Sequence, residues 1–192
     1  MGRIVVSENM SLDGVVEDPT GENGFKLGGW FNKMADGDRE AWAQLECDEA
    51  LSAEALLLGG RSDEYFASRW VTRTGTWADR LNSMTKYVVS STLERPRWDN
   101  STVIDGDVVE RVSSLKRDLD GDIVVYASRQ LVGTLMENDL VDEVRLMVYP
   151  VVLGAGERLF DQVGDQKSLR LLDARPVGES LSYLSYEVAG QA

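Results

Sequence analysis

The sequence predicts an α/β fold: a central, mainly parallel sheet flanked by helices, with antiparallel strands at its C-terminal end. Two observations predict it. Short apolar runs alternate with amphipathic helical stripes up to residue 140, after which strand-like runs dominate. In addition, Ala55-Leu56-Leu57-Leu58 is apolar on every successive residue, the mark of a strand covered on both faces.

In chain order, Arg3 to Ser7 reads as a first short strand, followed by a Gly/Pro/Asn-rich loop to Gly29. Asp38 to Ala53 is a helix, because Ala41, Trp42, Leu45 and Leu51 share a face and no helix breaker interrupts them. Ala55 to Leu58 is the second strand, closed by Gly59-Gly60. Ser62 to Trp70 is a short helix, Lys86 to Ser90 a strand, and Thr102 to Ile104 another. Val108, Val112, Leu115 and Leu119 form a helical stripe behind Asp107, a suitable cap. Asp122 to Tyr126 is again a strand, and Leu131, Val132, Leu135, Met136 and Leu140 mark the next helix. A strand over Val144 to Val152 meets Pro150. Two terminal strands, Leu169 to Leu172 and Leu181 to Val188, are joined through Pro176 and Gly178. No repeat or linker divides the chain, so residues 1–192 are expected to form one domain.

Composition excludes several chemistries. The chain has 192 residues, 33 acidic against 20 basic, a net charge of −13, one cysteine and no histidine. Zinc sites of imidazole and thiolate, and Ser-His-Asp or Cys-His nucleophiles, are therefore ruled out; no metal site is expected. Cys47 has no disulfide partner and reads as a small apolar helix residue. The charge repels a phosphate backbone and no basic patch offsets it, so nucleic acid is not an expected partner. No apolar run reaches the roughly 18 residues of a membrane helix, and the N-terminus has no signal-peptide pattern. The expected location is the cytoplasm, with no membrane partner.

Three strand–turn–helix junctions offer ligand sites, since helix N-termini present unpaired N–H groups. Gly59-Gly60-Arg61-Ser62 suits either an anion or a plain turn. Ser90-Ser91-Thr92 suits a ribose and its phosphate, or turn and helix capping. At Tyr126-Ala127-Ser128-Arg129-Gln130, Ser128 is a candidate cap.

Taken in order, these segments resemble the dihydrofolate reductase-like superfamily, and within it the stand-alone relatives of the RibD C-terminal (riboflavin-biosynthesis reductase) domain. The resemblance runs from Ile4 to about Val188. It rests on Met10-Ser11-Leu12-Asp13-Gly14, the stretch from Ala55 to Gly59 with Arg61-Ser62, Tyr87 to Leu93, and Leu140 to Leu146. Its most specific piece is Tyr149-Pro150-Val151-Val152-Leu153-Gly154-Ala155-Gly156-Glu157-Arg158-Leu159-Phe160. It implies a reductase that passes a hydride from NADPH, or alternatively NADH, to a small pterin-, pyrimidine- or related ring, in a homodimer. It also implies that Gly59, Gly60, Arg61 and Ser62 meet the cofactor phosphates. Ser90, Ser91 and Thr92 would lie beside the adenosine ribose, and Ala127, Ser128, Arg129 and Gln130 would cover the pyrophosphate.

Ser11, Leu12 and Asp13 would border nicotinamide and substrate. Asp13, if buried with a raised pKa, is the candidate proton donor; the alternative is a turn residue. Tyr126 is the second candidate donor. Trp30 and Phe31 form a wall over a flat ring, or pack into the core or a dimer interface. The chain departs from its relatives at Asp63 and Tyr126, and at Ala127 and Arg129, where glycines are usual. The replaced glycines at Ala127 and Arg129 favour the alternative of an inactive dimeric nucleotide- or heterocycle-binding protein. The deaminase half of the bifunctional riboflavin enzyme is excluded, because its zinc motif needs His and Cys.

Overall fold

A computed structural model describes residues 1–189. Its eight strands are β1 (Arg3–Ser11), β2 (Ala55–Gly59), β3 (Thr85–Val89), β4 (Ser101–Ile104), β5 (Asp122–Tyr126), β6 (Glu143–Tyr149), β7 (Leu169–Val177) and β8 (Leu181–Val188). They form one sheet in the order β4-β3-β2-β5-β1-β6-β8-β7. The first six positions are parallel; β8 runs antiparallel to β6, and β7 antiparallel to β8. The predicted parallel sheet with an antiparallel C-terminal end is the one observed.

The helices are α1 (Asp36–Ser52), α2 (Gly60–Trp70), α3 (Thr76–Ser83), α4 (Val108–Asp118) and α5 (Arg129–Glu137). The period-two alternation of the strands sorts them onto two faces. Ile4, Val6, Leu57 and Val125 pack on one face with Val112 of α4 and Val132 and Leu135 of α5. Val5, Leu56, Leu58 and Val124 pack on the other with Ala50 of α1, Ala67 of α2 and Leu81 of α3. A smaller cluster joins Trp30, Met147, Tyr149, Val177 and Leu181 under the start of α1. Asp107 caps α4 as expected, accepting the Glu110 N–H at 3.1 Å.

Several boundaries differ from the sequence reading. β1 continues past Ser7 to Ser11, because β6 runs beside it and pairs Glu8 with Leu146 through Ser11 with Tyr149. α2 starts at Gly60, not Ser62, and α3 was not predicted. β6 stops at Tyr149, where Pro150 cannot donate to a ladder. β7 extends to Val177 and contains Pro176, tolerated because the strand is the sheet's edge. Gly178 turns the chain at φ 62°, where an added Cβ would collide with Asp38 of α1.

Candidate cofactor and substrate site

The sheet order makes neighbours of the three junctions singled out in the sequence. β3, β2 and β5 are adjacent and parallel, so their carboxyl ends open side by side. The Gly59 N–H donates to Ser128 Oγ at 2.9 Å, and Ser128 Oγ lies 2.9 Å from Ser62 Oγ and 3.0 Å from the Tyr126 carbonyl. A Cβ on Gly60 would sit 3.2 Å from Ser90 Oγ, tighter than ordinary contact, so glycine keeps this crevice open. Gly59, the N-cap of α2, offers no side-chain cap, leaving first-turn N–H groups beside Ser62. Arg61 is exposed, with no ion pair or hydrogen bond among the described residues. Asp63 does not add charge to this surface: it is buried and accepts the Arg97 N–H at 2.9 Å, and burial raises its pKa. Ser90 serves its own turn, accepting the N–H groups of Thr92 and Leu93 at 3.3 and 3.1 Å, while Ser91 and Thr92 are exposed.

The third junction is built differently from the expectation. Ala127 and Ser128 both adopt left-handed backbone, at φ 49° and 61°, a conformation that favours glycine. Ser128 was expected to cap α5; it makes no cap bond there, because its hydroxyl is engaged with the first junction. Arg129 was expected to cover a phosphate. Its guanidinium instead bridges Glu157 and Asp161, each at 2.8 Å, and its charge is already matched. Gln130 is exposed beside it.

At the carboxyl end of β1, Ser11 is fully buried, donating to Asp13 Oδ1 at 2.8 Å and accepting the Val15 N–H at 2.9 Å. Asp13 is not the raised-pKa acid anticipated. The N–H groups of Leu153 and Gly154, at 3.1 and 2.8 Å, and the Ser11 hydroxyl hold its pKa down at about 2. It is an ionised brace that ties the turn after β1 to the loop after β6. Leu12 is 63% exposed. Trp30, 2% exposed, packs edge-on against Tyr149 at 5.1 Å, and Phe31 packs against Trp42 at 5.0 Å, so both join the third core cluster. Tyr126 is also buried. Among the described residues its hydroxyl has no hydrogen-bond partner, and burial together with the Glu49 and Glu46 carboxylates raises its pKa.

Sequence reasoning missed a set of acids nearby, Glu8 half-buried and Glu46 and Glu49 buried. Glu8 is the first β1 residue beyond the end of β5, whose last partner is Ser7. Its Oε1 accepts the Asn9 N–H at 3.1 Å, and burial lifts its pKa to about 8. Glu46 of α1 is buried too, and burial, with Glu49 and Glu8 nearby, pushes its pKa up. Glu49 is paired with Arg145 at 2.9 Å, which also holds Asp122 and Glu143. The available signals were the two carboxylates, Glu46 and Glu49, on the apolar side of α1; Glu8 follows the apolar part of β1, among polar residues, and gave none. Asn9 Oδ1 accepts both the Trp42 indole at 2.9 Å and the Tyr149 hydroxyl at 3.2 Å, lining the same region.

The loop between β1 and α1 covers this end of the sheet. Asp18, buried and at φ 45°, accepts the N–H groups of Glu22, Asn23 and Phe25 at 2.8 to 3.1 Å, and its carbonyl accepts those of Gly21 and Gly29. The loop reaches α2 through a Glu22–Arg69 ion pair and the Tyr65 hydroxyl, 3.4 Å from Thr20 Oγ1; Arg69 stacks 3.5 Å over the Tyr65 ring. Among the described residues no helix is long and apolar enough to cross a membrane, and no group of three or more potential ligands is arranged for a metal ion.

The RibD C-terminal domain model matches residues 3–183. The chain belongs to the RibD C-terminal domain family. Two Bacillus subtilis relatives, the uncharacterized proteins YyaP and YwjB, are similar to it. YyaP is 33% identical over 111 residues, spanning 57% of this chain and 58% of the relative. YwjB is 28% identical over 97 residues, spanning 50% and 56%. The chain thus spans just over half the length of the curated relatives it matches.

Among solved structures, one assigned to riboflavin biosynthesis in Shewanella sp. PV-4 covers 98% of this RibD-type chain and 99% of its own, at TM-score 0.70 and 18% identity. A pyrimidine reductase-like protein of Corynebacterium diphtheriae covers 98% and 92%, at TM-score 0.65 and 13% identity. Dihydrofolate reductase of Enterococcus faecalis, complexed with NADP(H), covers 98% and 97%, at TM-score 0.58 and 12% identity. The fold is shared with all three.

Proposed function

We propose that this RibD-type chain is a reductase that binds NADPH in preference to NADH and reduces a small heterocycle of pterin, pyrimidine or related type. The observation that carries the reading is the convergence of Gly59, Gly60, Ser62, Ser90 and Ser128 at one carboxyl edge, with Arg61 unengaged beside an uncapped helix start. That donor set fits a dinucleotide: N–H groups and hydroxyls for the phosphates, and a free guanidinium for an additional phosphate on the ribose. A bound nicotinamide supplies the hydride chemistry.

The chain's own task is to position, to exclude water and to hold a proton. Asp13, ionised, fixes the turn and does not donate. Glu8 keeps its proton near neutral pH; with Oε1 accepting from Asn9, Oε2 is the oxygen left to carry it. The loop fastened to α2 keeps solvent from this end of the sheet.

A second reading, a nucleotide- or heterocycle-binding protein without turnover, draws on Ala127 and Ser128 in left-handed backbone and on the engagement of Arg129. The two readings part on titration with NADPH and NADH by fluorescence and thermal shift, followed by assay against pterins, pyrimidines and quinones. The reductase reading expects saturable NADPH binding, weakened in Arg61→Ala more than NADH binding is, and oxidation with at least one ring substrate. No saturable binding of either cofactor overturns the reductase reading, and binding without oxidation across the panel supports the second.

A further inference from the structure

We propose that Asn9 is the residue that reads the substrate: its side-chain amide donates to a carbonyl on the ring, with the Tyr126 hydroxyl as a second contact one layer deeper. The assignment rests on the reductase reading, which brings a ring to this edge of the sheet, and it adds the group by which the ring is chosen.

Asn9 stands two residues beyond Ser7, the last β1 residue paired with β5. Strand alternation turns Ser7, Asn9 and the Tyr126 side chain towards α1. There Asn9 Oδ1 accepts the Trp42 indole N–H at 2.9 Å and the Tyr149 hydroxyl at 3.2 Å, which occupies both of its lone pairs. The amide is thereby locked, because a flip would set its N–H groups against two donors. Nδ2 keeps two N–H groups with no partner among the described residues. Asn9 is half-buried and Nδ2 is not sealed from solvent, so these donors are open to a ligand. A carboxylate would serve Trp42 and Tyr149 equally; the donor pair is what an amide adds.

Tyr126 supplies a second, independent observation. It is more than nine-tenths buried, and its hydroxyl has no hydrogen-bond partner among the described residues. A buried hydroxyl left unmet is costly, and a ligand that meets it removes that cost. Trp42 and Glu46 lie one turn apart on the same side of α1, Trp42 on Asn9 and Glu46 near Tyr126. The side chains at hand are thus an amide, a hydroxyl and the acids Glu8 and Glu46, a set that suits a neutral carbonyl and not an anion.

A fixed donor pair separates rings of equal shape. A 4-oxo ring offers it an acceptor, whereas a 4-amino ring opposes it with N–H groups. The experiment titrates 2-amino-4-oxopteridine and 2,4-diaminopteridine into the full chain by calorimetry, with and without NADPH, and uses circular dichroism to establish folding. The wild type should bind the oxo ring at least about tenfold tighter, about 1.4 kcal/mol. Asn9→Asp still accepts from Trp42 and Tyr149 but replaces the donor pair with an acceptor, so it should reverse the order. Asn9→Ser, whose hydroxyl donates or accepts, should erase it. Tyr126→Phe should keep the order and weaken the oxo ring several-fold without lowering the melting temperature; unchanged binding would remove that contact. No binding of either ring, a wild type without the oxo preference, or a preference that survives in the folded Asn9 variants overturns the proposal. A preference that follows Asn9 while NADPH is never oxidised counts against the reductase reading alone. NADPH oxidation with a preference indifferent to Asn9 counts against this proposal alone.

Discussion

Ser128 Oγ accepts the N–H of Gly59 at 2.9 Å, fastening the turn into α5 to the start of α2. Those are the turns after β5 and β2, which are neighbours in the sheet. The single hydroxyl also bonds the Tyr126 carbonyl or Ser62 Oγ. Ser128→Ala should therefore cost about 1 kcal/mol of stability, from a part-buried N–H left without its partner. It should also weaken NADPH binding, because Gly59 and Ser62 lose their fixed spacing. Urea melts and a fluorescence titration check the two effects; an unchanged melt would mean water replaces the hydroxyl.

Asp13 gives a pH test with a defined sign. Its carboxyl is held at about 2 in the folded chain, below its ordinary value of 3.8. The stability it adds is present above the ordinary value and is lost as pH falls through the folded one. Asp13→Asn should melt earlier than wild type at pH 7, and the two should converge as pH drops from 4 towards 2. A variant that kept the full deficit at pH 2 would locate the effect in packing.

Glu8 has the opposite sign. Its folded pKa is about 8 against an ordinary 4.5, so the wild type should lose stability relative to Glu8→Gln as pH climbs from 4.5 to 8. If Glu8 holds the proton that accompanies hydride transfer, wild-type turnover should fall above about pH 8. Glu8→Gln should then be slow at every pH while still binding NADPH. Paired melting and rate profiles separate the two contributions.

Arg69 fastens the loop between β1 and α1 to α2. An exposed ion pair contributes at most about 1 kcal/mol, so Arg69→Ala should leave global melting nearly unchanged. Amide exchange should quicken at Thr20, where the loop meets Tyr65 of α2, and should stay slow at Glu22, Asn23 and Phe25 if their bonds to Asp18 persist. Uniform acceleration across the loop would show that Arg69 also maintains its internal structure.

The alternation of apolar runs and helical stripes located most elements of this fold, and failures came where side-chain pattern and backbone need diverge. Glu8, Asn9 and Ser11 are polar, so β1 looked finished at Ser7; β6 alongside supplies the ladder that carries it on. α3 is a short helix whose buried residues are Ala78 and Leu81, too little periodicity to see in advance. The resemblance assigned the three junctions to one cofactor, while residue pattern alone could not join them, since the strand order is what brings Gly60 against Ser90 and Gly59 against Ser128. The sequence shows Arg129 as a free cation; Glu157 and Asp161, which neutralise it, lie about thirty positions on. Glu8 and Glu46 are ordinary charges in sequence, and only burial turns them into proton holders.

Asp18 also decides what sort of cover the loop is. Its carboxylate and carbonyl gather five N–H groups into one knot, while the attachments to α2 are the Glu22–Arg69 pair and the hydroxyl contact of Tyr65. A segment knotted within, and anchored at both ends by Val16–Glu157 and by buried Trp30, presents a ligand with a surface of fixed shape, whose contact with α2 is its lightest attachment.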